Sequence, residues 1–100
     1  MIMDDSKRNF LEILKKTYFL GKVSQPEVNS LNWYYLRYID RMTKFIIANK
    51  TLDSTDKLLR SLTRFYIDNQ EKCQVLAETY QEIRRGYFLY KRHRYNKEFN

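Results

Sequence analysis

An all-α fold, an antiparallel bundle, is what the sequence predicts, and three observations predict it. Two glycines and one proline in 100 residues are too few turn formers for a sandwich or barrel, which needs a turn signal every 8–12 residues or so. Apolar residues recur at steps of three and four through most of the chain, the spacing of one helix face. A hydrophobic content of 43% at a net charge of +7 is enough for one small core and argues against disorder throughout. A single domain spanning 1–100 follows from the length.

The first helix is expected from about Asp4 to Leu20. Phe10, Leu11, Ile13, Leu14, Tyr18 and the flanking Phe19 supply its apolar face, acidic Asp4 and Asp5 suit its N-terminus, and Gly21 is placed to cap its end. Ser24-Gln25-Pro26-Glu27 has the pattern of a capping box, so the second helix is expected to start at Gln25 and run to Ala48 or Asn49. Along it Val28, Leu31, Tyr35, Tyr38, Met42 and Phe45 alternate by three and four, and Leu36, Ile39, Ile46 and Ile47 widen the apolar surface. A helix apolar on two faces belongs at the centre of a fold. Residues 49–53 then read as a turn, with Asp53 or Ser54 capping the next helix.

Beyond that turn one heptad phase runs through Leu59, Leu62, Tyr66, Asn69, Cys73, Leu76, Tyr80, Ile83, Tyr87 and Tyr90. Its continuity favours one long or kinked third helix, and hence three helices in all. Polar Asp68-Asn69-Gln70-Glu71 offers the alternative, a break that would give four. The expected core includes Leu14, Leu31, Tyr35, Met42, Phe45, Leu62, Leu76, Tyr80 and Ile83. An unbroken third helix would outrun its neighbours and leave apolar positions for a second copy, which makes a homodimer one expected partner state.

Reactive groups are scarce. The only histidine, His93, lies between two arginines, and the only cysteine, Cys73, falls on the apolar seam and reads as a small buried hydrophobe. One Cys and one His cannot supply a four-ligand zinc site, and no intramolecular disulfide can form. Glu71, Glu78 and Glu82 lack the Glu-x-x-His partner of di-iron bundles, and there is neither a glycine-rich phosphate loop nor a Gly-x-Ser-x-Gly elbow. The expectation is a non-enzymatic protein without metal or cofactor. Charged residues interrupt the first twenty positions, and the apolar run 45–48 is far below the roughly 20 residues that span a bilayer. No integral membrane association and a cytoplasmic location are therefore expected.

Charge is distributed unevenly. Residues 84–100 carry Arg84, Arg85, Lys91, Arg92, Arg94 and Lys97 against Glu98 alone, a balance of +5, whereas residues 51–83 hold four cations against six acids, a balance of −2. Tyr87, Phe88, Tyr90, Tyr95 and Phe99 are interleaved with the terminal cations. Cations neutralise phosphates and aromatic rings stack on unpaired bases, so a basic helix end of this kind suits RNA or single-stranded DNA, with Tyr95 as the stacking residue. The leading expectation is a nucleic-acid-contacting module, a small subunit or accessory factor of a nucleoprotein assembly. Trp33-Tyr34-Tyr35-Leu36-Arg37-Tyr38 supports a competing expectation. Four aromatics on six consecutive helical positions cannot all face one core. Trp33, Tyr34 and Arg37 either cover the first helix or anchor a protein partner, as in a protein-only regulator of the phage-accessory type.

Overall fold

The computed structural model describes residues 5–99, with side chains described through Asn96. Among them are four helices, α1 (Asp5–Val23), α2 (Leu31–Ile47), α3 (Leu52–Asn69) and α4 (Gln74–Phe99), and no strand. Neighbouring pairs run antiparallel. Gly21 meets Leu36 while Lys7 reaches Asn49, which sets α1 against α2. Phe10 packs on Tyr87 and Tyr90, and Gly86 on Ile13, which sets α1 against α4. Thr63 bonds Tyr80 and Thr55 bonds Tyr87 at 2.6 and 2.7 Å, which sets α3 against α4. Tyr38 packs on Phe65 between α2 and α3. On the diagonal, α2 and α4 run parallel through Cys73–Asn32 and Tyr35–Thr79.

The break near 68–71 is realised, so the bundle has four helices and not three. No glycine is needed to make it. Asn69 turns its side-chain amide back onto the Phe65 carbonyl at 3.0 Å, and the Lys72 amide closes on the Asn69 carbonyl at 3.0 Å. Heptad phase survives the break because each helix carries its own apolar stripe and four residues separate the two. With α4 folded back, Tyr66 stacks on Tyr80 and Leu62, Leu76, Ile83 and Tyr87 are all fully buried within one chain. The heptad positions whose exposure motivated a homodimer are therefore covered within the chain, although α4, at 26 residues, is still longer than the other three helices.

The second helix starts six residues later than the capping-box pattern predicts. Gln25 has φ 49°, a left-handed conformation that reverses the chain, and its amide bonds the Lys22 carbonyl while the Ser24 hydroxyl bonds the Gly21 carbonyl. Residues 24 and 25 thus finish α1. Ser30 caps α2 by accepting from the Trp33 amide at 3.2 Å, and Val28, placed on the helix by its spacing, lies in the loop and is exposed. Thr51, not Asp53 or Ser54, caps α3. Asn49 terminates α2 with φ 53°, the Lys50 and Asn49 amides bonding the Phe45 and Ile46 carbonyls in a Schellman arrangement. Gln25 holds the same conformation with neither glycine's freedom nor the local bonding of Asn. Gln25→Gly is expected to raise stability by about 0.5 kcal/mol, read as a rise of a few degrees in a thermal melt.

Neither glycine caps a helix. Gly21 lies inside α1, where a Cβ would sit 2.5 Å from Leu36 Cδ2, and a Cβ on Gly86 would sit 2.9 Å from Ile13 Cδ1. Both positions let α1 approach its two neighbours closely. The expected core residues are buried, save that Leu31 and Phe45 are half-buried and pack against it.

Candidate nucleic-acid interface

The inner side of α4 is tied into the bundle by phenols. Tyr80 bonds Thr63, and Tyr87 bonds both Thr55 and the Asp56 carboxylate, the latter at 2.6 Å. The Tyr35 hydroxyl bonds that of Thr79, which in turn donates to the Val75 carbonyl at 2.6 Å. Burial pushes the Tyr35 phenol up to about 12. Burial also raises Tyr87, and the neighbouring carboxylate adds to the rise, so both phenols stay protonated donors.

These ties recruit two of the cations that the sequence places at a nucleic-acid surface. Lys91 Nζ lies 2.8 Å from Asp56 Oδ2 in a half-buried ion pair. Arg94 donates to the carbonyls of Lys50 and Asn49 and to the Tyr90 hydroxyl, closing the α2–α3 turn. Both side chains hold α4 to its neighbours. Lys97 lies in the last turn of α4, and its side chain falls outside the described residues.

Asp56 gives this end of the bundle an acid sensitivity. Burial raises its pKa, but hydrogen bonds from Lys91 and Tyr87 and the charges of Lys91 and Arg60 outweigh that, and the net direction is down. A carboxylate depressed on folding stabilises the native state above its unfolded pKa of about 3.9 and loses that contribution as pH falls through the folded value. Stability is expected to drop below about pH 4, and Asp56→Asn should flatten that part of a stability-versus-pH curve.

Arg84, Arg85 and Arg92 remain exposed, with no carboxylate partner among the described residues. Arg84, Phe88 and Arg92 follow one another at single-turn spacing, and Tyr95 extends the row. The Arg84 guanidinium lies 5.0 Å from the centre of the Phe88 ring. Phe88 is 44% and Tyr95 53% exposed, and with Lys91, Arg92 and Asn96 they line a shallow depression on the outer side of α4. Arg60 and Arg64 line a separate depression on α3. The Thr63–Tyr80 and Thr55–Tyr87 pairs fix a register that brings Arg60 level with Arg84. Counting charge along the chain hid them, because segment 51–83 is acidic in sum. Two of its carboxylates, Asp53 and Asp56, are already paired with Lys57 and Lys91; both arginines are exposed, and neither is within ion-pair distance of a carboxylate among the described residues, although the charge of Arg60 acts on Asp56.

The aromatic cluster of α2 lies on a separate face. Trp33 is half-buried, Tyr34 sits edge-on to it at 5.0 Å and bonds Asn29, and Arg37 covers the Trp33 ring at 4.8 Å. Cys73 is buried and donates to the Asn32 side chain at 2.7 Å. Among the described residues no three His, Cys, Asp or Glu side chains gather as a metal-ligand set, and no helix is long and apolar enough to cross a membrane. Comparison with protein-family models, curated proteins and solved structures gives no match for this chain.

Proposed function

We propose that the protein is a non-enzymatic module that contacts single-stranded nucleic acid through the outer side of α4 and the adjoining edge of α3. The observation that supports this reading best is the depression between half-exposed Phe88 and Tyr95, rimmed by Arg92 and continued by Arg84. Its walls are aromatic and its rim is cationic, the combination that stacks an unpaired base while neutralising the phosphates beside it. Arg84, Arg85 and Arg92 of α4 take the phosphate role, with Arg60 and Arg64 extending the track; Lys91 and Arg94 hold α4 in place. The phenol and ion-pair ties keep α4 one rigid platform, so little order is lost when a strand docks. A role as a small component of a nucleoprotein assembly follows from this contact surface.

Fluorescence anisotropy with labelled single-stranded RNA, single-stranded DNA and duplex DNA at about 50 mM salt tests the reading. Single strands should bind most tightly, the affinity should fall steeply with salt, and Tyr95→Ala should cost about 1–3 kcal/mol of single-strand binding. Absence of binding to all three would end the proposal.

A further inference from the structure

We propose that the cleft between α1 and α2 is a second, independent docking site, and that it takes an acidic helical segment of a protein partner with carboxylates one turn apart. The cleft is lined by Tyr18 and Lys22 from α1 and by Trp33, Leu36, Arg37, Asp40, Arg41 and Lys44 from α2. Its single carboxylate, Asp40, is already held by Lys44 at 2.8 Å. Lys22, Arg37 and Arg41 have no carboxylate partner among the described residues, so three uncompensated positive charges converge on one concave surface.

Two of these cations are placed by ring faces. Lys22 Nζ lies 5.5 Å from the centre of the Tyr18 ring, and the Arg37 guanidinium lies 4.8 Å from that of Trp33. A ring orders a cation without neutralising it, leaving its N–H groups to bond an anion. Ring exposure sets this cleft apart from the α4 surface. Trp33 and Tyr18, the rings that line the cleft, are half-buried, whereas Phe88 and Tyr95 on α4 are exposed, so the cleft offers less ring face for a base to stack on. Arg37 and Arg41 lie four residues apart on α2, about 6 Å along the axis, which matches carboxylates at i and i+4 of a helix laid beside it. Planar guanidinium groups bind carboxylates in a two-point fork.

The probe is a fluorescein-labelled synthetic amphipathic peptide with glutamates at i and i+4, compared with a peptide of identical composition whose glutamates stand at i and i+2. The first should bind at least tenfold more tightly than the second, and Arg37→Gln with Arg41→Gln should remove that advantage. Arg41→Glu alone, at an exposed position outside the ring pairs, should weaken binding with the melting temperature unchanged. Arg84→Glu with Arg92→Glu should leave peptide affinity as it was, which separates this site from the α4 surface whatever becomes of the nucleic-acid reading. Equal binding of the two peptides, or indifference to the Arg37 and Arg41 substitutions, would overturn the proposal. So would an oligothymidylate that displaces the peptide and loses affinity through those same substitutions, because the occupant would then be nucleic acid.

Discussion

Phe10→Ala should destabilise the bundle by about 3–5 kcal/mol, the cost of deleting a fully buried ring, out of a total of about 5–15 for a domain of this size. Phe10 packs α1 against α4. Its ring lies 5.8 Å from that of Tyr87 and 6.0 Å from that of Tyr90, and it closes on Gly86, where any side chain would collide with it and with Ile13. Removing it empties the seam between the two helices at the level where α4 is also tied to α3. A thermal melt followed by far-ultraviolet circular dichroism should show a drop of more than about 12 °C. Leu20→Ala, at a position 46% exposed on the same helix, should shift the midpoint by no more than a few degrees. Comparable losses for the two variants would mean that α1 does not pack on α4 as described.

Arg84→Glu combined with Arg92→Glu is expected to have the largest effect on binding while leaving the fold intact. Both side chains are exposed, and neither takes part in the ties between helices. On a single strand each phosphate contact contributes a factor of about five at 0.1 M salt, so losing two should weaken affinity by about 25-fold, before the repulsion of the new charges, and reduce the salt slope by about 1.4. The loss should be similar for every base sequence, because phosphates carry none of the sequence information. Lys91→Met provides the contrast. It should lower stability by stranding Asp56 while changing the salt slope little. An unchanged salt slope in the double variant would remove the phosphate role from these arginines.

Fold class, core and the approximate extent of α1 and of the second half of α2 were legible because they follow from apolar spacing alone. Helix ends were not. Ser24 and Ser30 are both adequate caps, and the choice between them rests on Gln25 adopting a left-handed turn, a conformation its side chain gives no reason to expect. Gly21 looks like a helix terminator, yet it serves a close helix contact that only the tertiary arrangement reveals. At the α3–α4 turn the polar run 68–71 was the true signal, and the unbroken heptad phase was coincidence of spacing. The candidate site was legible in composition and not in detail. The sequence places six cations in segment 84–100 but does not show that Lys91 also pairs with Asp56 and Arg94 with carbonyls of the α2–α3 turn, nor that Arg60 and Arg64 are exposed within a segment whose charge sum is negative.

The central claim, that single-stranded nucleic acid docks on the outer side of α4, is tested most directly by mapping amide chemical-shift changes in the full chain titrated with a short single-stranded RNA. The changes should concentrate between Arg84 and Asn96, with a smaller group around Arg60 and Arg64, and the ring protons of Phe88 and Tyr95 should move upfield as a base stacks on them. Changes confined to the α1–α2 cleft around Arg37, or none at saturating RNA, would contradict it.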